Sequence, residues 1–457
     1  MERTDELSSG WARWRHRGFS AKSKRAAITV FVLSVVIMSL APVKTQASPL
    51  VNSLPWLHVQ GNRIVDEKGL PVILRGVAIE EQCYMHLAND QYALDLHLFD
   101  EADVIELVQN WHASVIRVPI FPDLWENYPR YLEQFLDPIV DLGNRYGMYI
   151  LLGWHAHGNP ITGQADLLSF SNSPPFHGNP YNPNMTLATS FWDAVAERYK
   201  NDPWVIYSIF CEPTNILWKD WRPVAESLID TVRSHNPRAL VLVSGVDYAY
   251  DLSGVQNDPI DRRDVVYETH PYPGVTEFYG PWDQHFGFLS DRYPIFAGEW
   301  GYESSSSDRT VNATTADFGM PLVNYMKEKG MSWTAWILSP RWGPRILTDW
   351  SYDLTEFGEL VRDTLMTTQI VVKTKTILGS DLSGVIVSVD GNPYLTPSSV
   401  TCKITSRLSA RVIPQVNGSF YHFIGWQDEA GNVLSNNVSF TLDAYSMGRT
   451  IYAVFAP

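Results

Sequence analysis

The sequence predicts a (β/α)8 barrel followed by a small all-β domain. Between about residues 55 and 368, eight apolar runs of strand length alternate with segments of helical pattern. None of these runs is followed by a glycine-rich phosphate loop, which removes the usual cofactor reading of an open doubly wound sheet. From about residue 370 the texture changes to short alternating strands with no helices between them.

The runs are PVILRGV (71–77), ASVIRVPI (113–120), MYILLGW (148–154), VIYSIF (205–210), ALVLVSG (239–245), VVYETH (265–270), PIFAGEW (294–300) and SWTAWIL (332–338). Their near-continuous apolar character suits strands covered on both faces, as parallel sheets require. Helical patterns fill the gaps, among them 100–112, 189–200, 222–235 and 320–330. A short hairpin, LHVQGNRIVD, precedes the first run, and residues 371–457 read as a β-sandwich-like accessory domain. With 457 residues, 45% of them hydrophobic, the chain is long enough for two such domains.

Charge divides the chain. Residues 1–47 hold eight Lys/Arg against three Asp/Glu, a net of +5, so the remainder carries −20 of the overall −15. An acidic body excludes nucleic acid and anionic lipid as its partners. The basic segment leads into AAITVFVLSVVIMSLA (26–41) and then TQAS, the pattern of a secretory signal cut after Ala47 or of an uncleaved signal anchor. Either way residues 48 onward are expected outside the cytoplasm, secreted or tethered to the membrane by that segment. Three cysteines, Cys83, Cys211 and Cys402, offer no disulfide framework. A monomer is expected, with no cofactor and no metal.

In a parallel barrel, polar residues just past each strand face one mouth. Collecting them places Arg117 after the second run, His155 and His157 after the third, and Cys211 with Glu212 after the fourth. The sixth run adds His270 and Tyr272, the seventh Glu299 and the eighth Trp336. One glutamate at a strand end is more often solvated or capping a helix than catalytic. Two of them, with an arginine, histidines and aromatic rings on the same mouth, suit glycoside hydrolysis, which needs one acid kept protonated, one carboxylate kept ionised and aromatic walls for sugar. Other chemistries fit less well: there is no GxSxG elbow, the HAH of the third run lacks the further ligands of an amidohydrolase metal site, and a Cys211 nucleophile would leave both glutamates idle.

The stretches IRVPI, GWHAHG, CEPTN, THPY, AGEWG and WTAW, with the opening VQGNRIVDEKGLPVILRGV, closely resemble glycoside hydrolase family 5, the cellulase-type (β/α)8 family of retaining glycosidases. The resemblance runs over about 55–368 and implies a β-linked polysaccharide substrate. It implies Glu299 as nucleophile, Glu212 as acid/base, Arg117 and Tyr272 as partners of the nucleophile, His155, His157 and His270 as sugar-binding or acid-tuning groups, and Trp336 as the floor of the subsite on the non-reducing side. Two positions depart from the family pattern. Cys211 stands where relatives carry an asparagine that hydrogen-bonds the sugar 2-hydroxyl, and Gly153 where many carry an aspartate. The expected activity is endo-β-1,4-glucanase, with β-mannanase and a non-cleaving glycan-binding protein as alternatives. The C-terminal strands resemble bacterial surface repeat modules, in which Trp426 reads as core before it reads as a sugar platform.

Overall fold

The structure is a computed structural model that describes residues 54–92, 96–166, 175–410, 415–416, 419–442 and 449–457; the signal peptide or anchor expected at 1–47 lies outside the described residues. All eight apolar runs form strands: β1 (Arg75–Ile79), β2 (Val115–Ile120), β3 (Tyr149–Trp154), β4 (Val205–Ser208), β5 (Val241–Ser244), β6 (Val265–Thr269), β7 (Ile295–Ala297) and β8 (Ser332–Leu338). They pair in parallel in chain order, and β8 closes on β1 through Trp333↔Arg75 and Thr334↔Gly76. The result is a closed (β/α)8 barrel.

Alternation along each strand divides its side chains between two cores. Ile116, Val118, Ile120, Ile150, Leu152 and Trp154 face outward and pack with the helical ring. Val115, Tyr149, Leu151, Ile206, Leu242, Val266 and Phe296 face inward and fill the floor of the barrel. The predicted hairpin pairs His58–Gln60 with Arg63–Val65, and Leu54, Leu57 and Ile64 from this region complete the same inner core. Two residues further along the same inward parity come Arg117, Ser208, Ser244 and Glu268, so an apolar floor gives way to a polar layer below the mouth.

The outer helices include Asp137–Tyr146, Met185–Arg198, Trp218–His235, Met320–Glu328 and Glu356–Met366. Asn184 caps the second of these, its side chain accepting from Leu187 N. The segment predicted as one helix over 100–112 begins with a capping box at Asp100, runs as α-helix over Glu101–Ile105, and widens into a π-type turn over Glu106–Asn110.

Beyond Met366 the chain passes directly into strand Thr367–Thr376 of a second unit. A five-stranded and a four-stranded sheet enclose Ile370, Val372, Val387, Val389, Leu408, Trp426, Ile451 and Phe455, which makes the all-β part a sandwich. Trp426 is fully buried, with its indole N–H donating to Asn437 O at 3.1 Å. That makes it core and removes it as a sugar platform. Among the described residues no helix is long and apolar enough to cross a membrane.

Candidate active site

Backbone pairing continues past the barrel rim and sets the mouth residues. Cys211 N donates to Trp154 O and Glu212 N to Ala156 O, so Glu212 lies in parallel register with His157. Across the barrel, Gly298 N donates to Thr269 O and Trp336 N to Trp300 O, which raises Glu299 between β6 and β8. Every site residue expected from the sequence converges here. All except the half-buried Trp336 are buried.

Glu299 is held from three sides. Arg117 Nη1 donates to its Oε1 at 2.5 Å, Tyr272 OH donates to its Oε2 at 3.1 Å, and the Cys211 thiol lies 3.4 Å from Oε1. Burial pushes this carboxyl up, but the charges of Arg117 and His270 outweigh it and hold the group well below the usual carboxylate range. Glu212 is held by His270, whose Nδ1 is 3.0 Å from Oε1, while His157 Nδ1 lies 3.3 Å from Oε2. Burial pulls His270 down, yet the charge of Glu299 and hydrogen bonds to Glu212 and Glu268 raise it to about 9. Because His270 Nδ1 is also 4.0 Å from Glu299 Oε2, the two glutamate oxygens it faces are at most 7.0 Å apart.

The Trp336 ring stacks on the His155 imidazole, with centroids 5.2 Å apart and planes within 6°. Burial lowers His155 far below its ordinary value, so the ring is neutral. Phe121 and Tyr181 pack against His155 as well, and Trp342 packs against Phe121 and Tyr84, which extends the aromatic wall from Trp336. Trp154 and Trp300, next to the mouth in sequence, are fully buried and belong to the core.

Cys211 is fully buried among Arg117 Nη2, His155 Nδ1 and Glu299 Oε1, each at 3.4 Å. Burial, reinforced by the charge of Glu299, pushes its thiol well up, which keeps it protonated and rules it out as a thiolate nucleophile. Asn215, four residues on, does not take over the missing amide: its side chain donates to Asp166 at 2.8 Å. Gly153 faces the guanidinium, where a Cβ would stand 3.4 Å from Arg117 Cζ, so a larger side chain would crowd this cation.

Sequence reasoning missed Glu268. It is fully buried in the polar layer, accepts from Ser208 Oγ at 2.6 Å and Ser244 Oγ at 3.3 Å, and lies 3.3 Å from His270 Nε2 and 3.8 Å from Arg117 Nε. One carboxylate thus underlies both the histidine of Glu212 and the arginine of Glu299. The signal for it was parity, since Glu268 is two residues before His270 on a strand and therefore shares its face. Gly298 makes the room, because a Cβ there would come within 1.8 Å of Glu268 Oε1.

A parallel barrel that sets an ion-paired carboxylate and a histidine-bonded carboxyl beneath an aromatic ring is the architecture of a glycoside hydrolase. The chain is a member of glycosyl hydrolase family 5, the cellulase family, whose model matches residues 65–341. An endoglucanase of Paenibacillus polymyxa is 27% identical over 391 residues, covering 72% of this chain and 92% of that enzyme. An endoglucanase of Thermobifida fusca is 24% identical over 293 residues, covering 61% of this chain and only 55% of that enzyme. Among solved structures, a β-glucanase from Saccharophagus degradans matches with a TM-score of 0.60 and 28% identity over 69% of this chain and 94% of its own. That enzyme has also been solved in complex with cellotetraose.

Proposed function

We propose that this chain is an exported, monomeric, retaining endo-β-1,4-glucanase, with Glu299 as nucleophile and Glu212 as acid/base. The observation that carries the assignment of roles is the asymmetry of their partners. Glu299 faces a fixed guanidinium and is kept ionised, while Glu212 faces titratable imidazoles through which a proton can be exchanged. The 7.0 Å ceiling on this oxygen pair leaves room for the about 5–5.5 Å spacing that a covalent route uses.

In this reading a Glu299 oxygen attacks the anomeric carbon as the glycosidic C–O bond breaks, and the Glu212 proton passes to the leaving oxygen. Glu212, now a carboxylate, takes a proton from water. The water oxygen attacks the same carbon and Glu299 departs. Trp336, stacked on His155, forms the floor under the sugar on the non-reducing side. Export rests on the basic, then apolar, N-terminal pattern. A second reading is β-mannanase, because Cys211 replaces the amide that relatives aim at the sugar 2-hydroxyl with a weak donor and acceptor.

The test is reducing-end release from carboxymethylcellulose, barley β-glucan, glucomannan and galactomannan, with the anomer of the first product read by NMR. Release from the glucans as the β-anomer is expected. Preference for the mannans would move the substrate, and an α-anomer would overturn the mechanism. Glu299→Gln should be inactive, while Glu212→Ala should be rescued by azide on an activated aryl glycoside, whose leaving group needs no proton. Rescue of the Glu299 variant with retained stereochemistry would exchange the two roles.

A further inference from the structure

We propose that His155, His157 and Cys211, with Glu299 as fourth donor, form a seat for a borderline divalent cation, Zn2+ above all, and that a cation held there inhibits the enzyme by occupying the nucleophile. The site is not a cofactor site for the reaction. Its inhibitory consequence rests on the glycanase reading, whereas the binding itself does not.

Geometry comes first. One donor atom from each of His155, His157 and Cys211 lies within 4.8 Å of the other two, and all three residues are buried. Around Cys211 the edges are shorter: Sγ is 3.4 Å from His155 Nδ1 and 3.4 Å from Glu299 Oε1, and those two atoms are 3.8 Å apart. Tetrahedral zinc, with bonds of about 2.3 Å to sulfur and about 2.0–2.2 Å to nitrogen and oxygen, separates its donors by about 3.3–3.6 Å. The three atoms therefore already approximate one face of such a tetrahedron.

His157 supplies the second observation. It is 7% exposed, and neither ring nitrogen makes a hydrogen bond, although Nδ1 stands 3.3 Å from Glu212 Oε2. A buried imidazole without a hydrogen-bond partner, turned toward a thiol and a second imidazole, points to a ligand. A neutral imidazole offers the lone pair of one ring nitrogen to a metal.

The donor set selects the metal. Thiolate with imidazoles favours zinc and other soft or borderline ions over magnesium and calcium. An asparagine in place of Cys211 would offer only an amide, so the seat belongs to this chain's own sequence. Binding releases the thiol proton to solvent as the sulfur–metal bond forms, which leaves one added positive charge. Arg117, with Nη2 3.4 Å from the sulfur, opposes that charge; Glu212 beside His157 and Glu268 beside Arg117 Nε offset it.

The experiment uses the full chain, freed of metal, titrated with Co2+ alone. The expected result is one equivalent bound with the near-ultraviolet sulfur-to-cobalt absorption of thiolate ligation. That absorption disappears in Cys211→Asn, persists in Cys402→Ser, and forms at least about tenfold more weakly in His157→Gln. Zn2+ should inhibit hydrolysis of soluble glucan competitively and reversibly with EDTA. Absence of the absorption in the parent, or its persistence in Cys211→Asn, overturns the proposal; if that variant does not fold, undiminished affinity in His157→Gln does so. A chain that cleaves no glucan yet gives the cobalt absorption would sink the glucanase reading and support the site.

Discussion

Arg117 Nη1 lies 2.5 Å from Glu299 Oε1 across the barrel lumen, with the guanidinium wholly shut off from solvent. In so dry a place the ion pair sets the charge state of the carboxyl. Arg117 lowers it, so Arg117→Gln lets burial raise it. The ionised form, which attack requires, is then lost at a higher pH than in the parent. The acid limb of the kcat/KM profile should move to higher pH, turnover should fall by about a hundredfold, and stability should fall by about 3 kcal/mol, the scale of breaking a buried pair. An unmoved acid limb would mean that another group governs it.

Glu268 acts at one remove, as a positioning residue beneath His270. In Glu268→Gln the imidazole loses an anion 3.3 Å from Nε2, so its titration, held at about 9, should move to lower pH. Imidazole chemical shifts followed against pH would show this directly. Activity should fall about tenfold or more, since His270 also orients Glu212. A purely structural role would cost stability and leave the His270 titration in place.

The thiol of Cys211 gives a third expectation. If it stands in for a donor to the sugar 2-hydroxyl, the enzyme lacks one contact that strengthens in the transition state, a loss of about 1–3 kcal/mol. Cys211→Asn should then raise turnover on β-1,4-glucan about ten- to a hundredfold, read as kcat on a defined cello-oligosaccharide. A slower variant would show the thiol to be adapted to this site and would favour a substrate of different C2 chemistry.

Among the described residues the sandwich contributes none of the mouth residues. Its links to the barrel include Arg75 Nη1 donating to the carbonyl of Thr367, and Ile404 N donating to Met366 O. A chain of residues 48–366 should fold with a cooperative thermal transition and keep most activity on soluble glucan. Ending at 366 matters because Ile370 and Val372 are core residues of the sandwich. Insolubility of this shortened chain would show that the two units share a folding unit.

The sequence by itself determined the eight strands, because continuous apolar runs between helical patterns have few other stable uses, and it determined the mouth residues, because strand ends in a parallel barrel share one face. Local chemistry of that kind needs no knowledge of partners. Only the tertiary structure decided which groups touch. Arg117 and Glu299 are 182 residues apart and meet through closure of the barrel, which no local pattern encodes. The same closure places Glu268 below two mouth residues, turns Asn215 toward Asp166 and away from Cys211, and sinks Trp154 and Trp300 into the core. Each of these outcomes depends on strand parity and on the room left by neighbours such as Gly298, quantities fixed by packing between distant segments.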